Sequence, residues 1–391
     1  MGKYTIITFI KYFIKVIDMK PEQGEERREI RRANQARIAR LIMEAGSISK
    51  GEIAARLGFS MPTTLQHIRE LTEAGYVMES GEYGSTGGRK AKMLSIVGDM
   101  GFGAGMEITE NYISYVLVNL KKQLIRKARI RLPFSRDFSY YESIGNWLQV
   151  FLEQTGVEQK KILGVGIALP GMVDPKEKLL IHSHVLHAEH VSFKRFESMV
   201  GYPCIVDSDA GGAAYMELSG ENRDGVYLSL NDMVGGAVWM NHALYSGDDF
   251  RGAQFGHMRI EKNGRSCYCG SKGCLDAYCS TRALTGEDRS LEGFFGMVKK
   301  REPEYIRRWD EYLDSLAMGV VNLRCMFGCD VVLGGEVGAY LNDFRKDLDR
   351  KVMEYDRLDP DTSFLRIGKC LPESSACGVA VRFTDRFFDR L

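Results

Sequence analysis

Apolar positions in the first hundred residues recur at helical spacing. Ile30, Ile38, Leu41 and Ile42 share one side of a segment that also carries Arg27, Arg28, Arg31, Arg32, Arg37 and Arg40, which predicts an amphipathic helix. The stretch SKGEIAARLG opens on Ser49 with Glu52 three residues later, a capping-box pattern, and predicts a short helix ending at Gly58. Ser60 then caps MPTTLQHIRELTEAG, in which Leu65, Ile68 and Leu71 are expected to face inward and Gly75 to end the helix. That phase leaves Ser60, Thr63, Thr64, Gln66 and His67 on the outer side, near the helix start. Two short helices joined by a tight turn predict a helix-turn-helix reader that places its second helix in the major groove of DNA. YVMESGEYGSTGGRKAKMLSI follows as two strands around a loop with Arg89, Lys90 and Lys92, a predicted wing. Its paired glycines beside cations suit close approach to phosphate or a minor groove. A helical protein-interaction domain is the alternative for this module.

After Gly98 the pattern changes. GFGAGMEITENYISYVLVNLKKQLIRKARIRL holds three strand-like runs, YESIGNWLQVFLEQTG is helical, and ILGVGIALPGMV is a glycine-punctuated buried strand. Strand runs followed by helices, in two successive halves, predict an α/β body with its sheets covered by helices. The expected divisions are an extension over 1–24, a winged helix-turn-helix over 25–97 and the body over 98–391.

Composition narrows the classes. A chain of 391 residues, 44% apolar and 27% charged, fits two or three globular domains and excludes disorder or a fibre. The net charge of +1 is too small to attract nucleic acid globally, so contact with DNA must come from a local patch. From Met19 to Ile96 there are 13 Lys and Arg against 10 Glu and no Asp. The opening MGKYTIITFIKYFIKVID is broken by Lys11 and Lys15 and falls short of the roughly 20 apolar residues that span a bilayer. No small-residue cleavage site follows. It reads as an extra strand, an amphipathic helix, or the product of a start codon upstream of Met19. The expectation is a cytoplasmic protein with no membrane partner. Nine cysteines, an odd number, do not suggest a disulfide framework.

Two clusters carry candidate chemistry. HMRIEKNGRSCYCGSKGC brings His257 together with Cys267, Cys269 and Cys274, and Gly270 and Gly273 let the loop turn back. One nitrogen and three thiolates suit a closed tetrahedral zinc site, so one structural Zn2+ per chain is expected, with three buried free thiols as the alternative. Cys204, Cys279, Cys325, Cys329, Cys370 and Cys377 lack such spacing. In IHSHVLHAEH, the alternation of His182 and His184 can place two imidazoles on one strand face, toward a metal or a cleft. With His187 and His190, they can equally be polar loop histidines.

From Glu25 onward the chain resembles the ROK family of bacterial sugar-responsive repressors and sugar kinases. The resemblance rests on the winged module and, in order, GVGIALPGMVD, DSDAGGAAYME, GAQFGHM, CYCGSKGCLDAYCS and VVLGGEVG. It implies an actin-like, hexokinase-like body of two lobes with a sugar cleft between them, and members with an N-terminal winged helix are typically repressors. The family's D-I-G-G-T phosphate loop corresponds to EITEN (107–111), and its G-I-G-x-G loop to MVGGA (233–237), so kinase activity is not expected. The resemblance places Pro170, Gly171, Ser208, Asp209, Gln254, His257 and Asp276 at the ligand cleft. Ser208 stands for an asparagine of the family, and Gln254 and Asp276 for glutamates. It thus implies an effector-controlled, operator-binding homodimer or homotetramer that senses a sugar or sugar derivative. The alternatives are a sugar kinase using ATP, a body that binds a protein partner, or a degenerate cleft that binds nothing.

Overall fold

The two helix starts read from capping residues form as expected. The Ser49 side chain accepts from the Glu52 N–H while the Glu52 carboxylate reaches back to the Ser49 N–H, and the helix α2 (Lys50–Leu57) that follows ends on left-handed Gly58. Ser60 caps α3 (Met61–Glu73) through the Thr63 N–H, with Pro62 in the first turn, where a missing N–H costs nothing. Both helices follow α1 (Gln23–Ala45). In the computed structural model, which describes residues 23–82, 92–286, 290–369 and 372–390, these three helices pack on a small antiparallel sheet. Its strands are β1 (Ile48–Ser49), β2 (Val77–Glu82) and β3 (Lys92–Ile96), in the order β1-β3-β2. Residues 1–22 of the N-terminal extension, Arg89, Lys90 and Cys370 lie outside the described residues.

Ile38, Ala39, Ile42, Ile53, Ile68 and Leu71 form the core of this unit. Ile30, expected on the apolar stripe of α1, is exposed. The unit comprises the chain up to Met100 and, in addition, the chain from Arg386 on. The body therefore starts three residues later than expected, and its last segment belongs elsewhere. Phe388, fully buried, meets Tyr76 edge to face at 6.0 Å, and Asp389 pairs with Arg40.

Between Gly101 and Asp385 lies the second unit, built on one pattern used twice. In its first lobe, β4 (Phe102–Ile108), β5 (Tyr112–Asn119) and β6 (Leu124–Arg131) form an antiparallel meander, and β7 (Ile162–Leu169) and β11 (Cys204–Ser208) add parallel to the other side of β4. A small sheet of β8 (Met172–Asp174), β9 (Leu179–Ser183) and β10 (Ala188–Ser192) is inserted before β11. The second lobe repeats the scheme with β12 (Gly225–Leu230), β13 (Val234–Met240), β14 (Ala243–Tyr245), β15 (Asp330–Gly334) and β16 (Leu365–Ile367). The strand orders are β6-β5-β4-β7-β11 and β14-β13-β12-β15-β16.

Helices cover these sheets. On one side of the first, α4 (Phe138–Glu153) buries Tyr140, Ile144, Leu148 and Phe151. On the other lies α7 (Ser374–Asp385), which packs against α5 (Asp209–Leu218), a helix that lies mainly on β12 and β13 of the second sheet, while α6 (Pro303–Phe327) buries Leu313, Leu316 and Val320 in the second lobe. The approach of α7 is close enough to require glycine. A Cβ on Gly166 of β7 would lie 2.6 Å from the Val379 carbonyl carbon, and one on Gly378 would lie 2.5 Å from that of Gly212 in α5.

Candidate ligand cleft, metal cluster and DNA-reading helix

A cavity of about 950 Å³ opens between the two lobes. Its floor is set by element ends, because β4, β11 and the start of α5 bring Glu107, Ser208 and Asp209 together while β13 and the turn after β15 supply Gly235 and Glu336. Pro170, Gly171, Ser208, Asp209, Gln254 and His257 all line it. Gly171 takes φ 126°, which side-chain-bearing residues rarely adopt, and a Cβ there would meet Ser183 Cα at 3.0 Å.

Asp276 is a correction. It does not line the cavity: the residue is 5% exposed and its Oδ1 accepts the Val234 N–H at 2.7 Å, holding the start of β13. Burial pushes its pKa up to about 6. Ser208 also has a structural task, since its Oγ accepts the Gly211 N–H at 3.0 Å as the cap of α5. Asp209 Oδ1 accepts the Ala210 N–H at 2.8 Å, and burial lifts its pKa to about 6. Glu107 is lifted further, to about 7, by burial first and then by Asp209, although it takes a hydrogen bond from Ser375.

The turns matching the family's phosphate loops, at 107–111 and 233–237, border the cavity. Thr109 donates its backbone N–H to the Tyr112 carbonyl at 2.9 Å, forming a tight hairpin turn. Gly236 leaves room for the Phe255 ring, since a Cβ there would stand 2.8 Å from Cε2.

At the edge of the cavity, the ligand atoms of His257, Cys267, Cys269 and Cys274 all lie within 4.8 Å of one another. His257 Nδ1 is 3.9 Å from Cys267 Sγ, and the sulfurs of Cys269 and Cys274 are 3.8 Å apart. Two bridges, Arg259 with Cys274 and Ser266 with Lys272, fold the loop on itself. Gly273 permits this at φ 76°, where a Cβ would strike the Glu261 carbonyl. Burial lowers the His257 pKa, keeping the imidazole neutral and its lone pair available. The arrangement can hold a metal ion.

The other imidazole nitrogen, Nε2, lies 3.2 Å from the Tyr268 hydroxyl. Tyr268 lines the cavity and packs on His184 at 4.7 Å between ring centroids, and His184 packs on His182 at 4.3 Å. His182 and His184 thus join the cavity wall, whereas His187 and His190 do not line it. Among the described residues, no metal-ligating group forms around this histidine segment. Sequence reasoning missed Tyr268, whose one signal was its place between two cysteines.

On α3 the outward face differs from the expected one. Thr64 and His67 are buried, and Leu65 is 44% exposed. Burial of Thr64 is cheap because its hydroxyl donates to the Ser60 carbonyl at 3.0 Å. The exposed positions are Met61, Pro62, Leu65, Gln66 and Arg69, with Ser60 at the start and Thr63 half-buried. Glu70 ties α3 to α1 by accepting from Arg31 at 3.0 Å and Gln35 at 2.6 Å, so Arg31 is engaged within the unit. Lys92 at the wing's base pairs with Glu79.

A winged helix-turn-helix and a duplicated two-lobed body of the actin-like, sugar-kinase class are therefore carried on one chain. A profile of the ROK family matches residues 103–381, and one described as winged helix-turn-helix DNA-binding matches residues 31–78. The chain belongs to the ROK family. It is similar to the xylose repressor of Caldicellulosiruptor bescii, with 23% identity over 350 residues covering 83% of this chain and 88% of that one. It is also similar to the N-acetylglucosamine repressor of Escherichia coli O6:H1, with 24% identity covering 65% and 64%. Among solved structures, a ROK family transcriptional regulator homologous to E. coli MLC superposes with a TM-score of 0.73 at 16% identity over 92% of this chain and 98% of that one. A ROK family glucokinase from Streptomyces griseus, in complex with glucose and AMPPNP, gives 0.59 at 23% identity over 72% and 98%.

Proposed function

We propose that this protein is a carbohydrate-responsive repressor of sugar-use genes with no kinase activity. The observation that carries the reading is the pairing of a DNA-reading unit with a cleft whose first phosphate-loop counterpart, residues 107–111, lacks both glycines. A kinase of this fold needs glycine turns with free backbone N–H groups toward the nucleotide phosphates. Here Thr109 and Glu110 stand where the family's first phosphate loop has its two glycines.

An effector in the cleft meets Pro170, Gly171, Ser208, Asp209, Gln254 and His257, while Asp276 acts on it through the Val234 backbone. Three sulfurs and one imidazole suit Zn2+ by donor softness and number, with no position left for water. His257, Cys267, Cys269 and Cys274 hold it, and its contribution is to fix the loop that carries Tyr268. Ser60, Thr63 and Gln66 contact operator DNA with the exposed Leu65 and Arg69, and Arg89 and Lys90 reach the backbone from the wing. Paired readers in a homodimer or homotetramer match half-sites about one helical turn, or a multiple, apart.

The protein works in the cytoplasm; among the described residues no helix is long and apolar enough to cross a membrane. Effector releases DNA by binding the low-affinity conformation more tightly, a coupling of about 1–3 kcal/mol. The test combines footprinting upstream of the gene, with and without sugars, and an ATP-magnesium phosphorylation assay on the full chain. Sugar-sensitive protection without turnover is expected. Hexose phosphorylation at catalytic rates, or no protected site, defeats the reading.

A further inference from the structure

The first half of α1 does little for the core. From Arg27 to Ala33 every residue is exposed, and the buried face of the helix is made further along, by Ala36, Ile38, Ala39 and Ile42. A helical stretch that buries nothing is held only by continuity with its packed half, so its side chains face solvent or a partner.

Those side chains are sorted by charge. With about 3.6 residues per turn, Arg27, Arg28, Arg31 and Arg32 fall within one arc of roughly 140°, in line with Gln35, Ile38 and Ile42, while Glu29 and Ile30 fall outside it. Arg31 donates to Glu70 of α3 at 3.0 Å, whereas among the described residues no ion pair or hydrogen bond engages Arg27, Arg28 or Arg32. In the packed half the arginines are occupied, Arg37 over the Phe59 ring at 4.9 Å and Arg40 by Asp389.

Glu70 fixes where the free face stands. It also accepts from Gln35 at 2.6 Å and from Gln66 at 3.1 Å, and Gln66 belongs to the exposed face of α3. The arginine face of α1 therefore starts at the flank of that exposed face, and Arg27 and Arg28 lie one helical turn beyond Arg31, about 5 Å further along. A helix seated in a major groove about 12 Å wide has phosphates along both flanks. Glu70 alone would repel them, but Arg31 offsets it and leaves three guanidiniums in excess.

We propose that Arg27, Arg28 and Arg32 form a second DNA contact, which binds the phosphates bordering the groove that α3 enters and strengthens binding to any duplex without choosing its sequence. This rests on the DNA-reading function given above. Guanidinium binds phosphate bidentately, and each phosphate neutralised releases counterions whatever the bases are. A second copy of this chain is the poorer fit, because in a two-fold pairing three unpaired guanidiniums would meet their own kind, and Ile30 is the one large apolar side chain exposed beside them.

The test is a salt titration of binding by the full chain, read by fluorescence anisotropy on two duplexes of roughly 40 base pairs, one carrying the footprinted site and one of arbitrary sequence. Joint replacement Arg27→Ala, Arg28→Ala and Arg32→Ala should reduce the slope of log K against log salt by about 2–3 per bound chain. Affinity near 0.15 M salt should fall at least about tenfold, by the same factor on both duplexes. The matching triple replacement by lysine, which keeps the charge, should hold the parent's slope, and equal Tm values for parent and both variants exclude misfolding as the cause. An unchanged slope in the alanine variant overturns the inference and leaves DNA reading standing. Weakened binding that comes with a changed oligomeric state in sedimentation makes the arginine face an interface between copies, which also overturns it. If the parent binds neither duplex, the DNA-reading function fails and the inference falls with it.

Discussion

Replacing Gly378 with alanine sets two effects of opposite sign against each other. Gly378 lies inside α7, where alanine by intrinsic propensity should stabilise by about 1 kcal/mol. Its new Cβ would stand 2.5 Å from the Gly212 carbonyl carbon and nearer still to the oxygen, about 1 Å inside ordinary contact. Those atoms are backbone, so no rotamer change relieves the clash, and α5 and α7 must separate. Overpacking of this kind costs about 1–3 kcal/mol, and a rigid neighbour places it at or beyond the upper end. The net loss is about 2 kcal/mol, or roughly 4–8 °C in the Tm of the body. Because α5 begins at Asp209 and α7 carries Ser375 on the cleft, effector affinity should fall as well. Differential scanning calorimetry and effector titration measure both. A Gly378→Ala protein with raised Tm and unchanged affinity would refute the reasoning, since propensity would then have won.

Three other expectations follow from the site. Folded Glu107 keeps its proton up to about pH 7, whereas an unfolded glutamate loses it near 4.5, so its contribution to stability is full below about pH 4.5 and is lost as pH rises to 7. Glu107→Gln should therefore match the parent near pH 4.5 and exceed it at pH 8 in a Tm series; parallel curves would contradict this. Cys267→Ser, or a strong chelator, should bring bound zinc well below one per chain and destabilise the body by more than about 3 kcal/mol, read by metal analysis and thermal melts. Gln66→Ala should weaken operator binding by about 1–3 kcal/mol in a gel-shift titration with Tm nearly unchanged, because the side chain is exposed and its bond to Glu70 is one of several there.

Capping chemistry was the most legible part of the sequence. Ser49 with Glu52, Gly58 and Ser60 placed two helices correctly because each satisfies a local backbone need that no distant contact overrides. The phase of α3 was misread for a related reason. Periodicity assigns apolar residues inward, but Thr64 can bury itself by bonding to its own helix, and Leu65 is left exposed. The residues at 170–171, 208–209, 254 and 257 were placed at the cleft by family resemblance. Asp276 fell out of that set because its sequence position could not reveal that Val234 N–H would claim it. Tyr268 and the wall carboxylates Glu107 and Glu336 share the cavity only through tertiary folding, because more than a hundred residues of chain separate Glu107 from the other two.

Fastening the chain after Asp385 into the unit that began it makes the body, topologically, a loop inserted in the DNA reader. A fragment stopped at Met100 would lack Phe388, a fully buried ring, and should not reproduce the intact reader. Exchanging readers between such regulators therefore takes two cuts. The chain thus passes between reader and body twice, at Met100–Gly101 and at Asp385–Arg386.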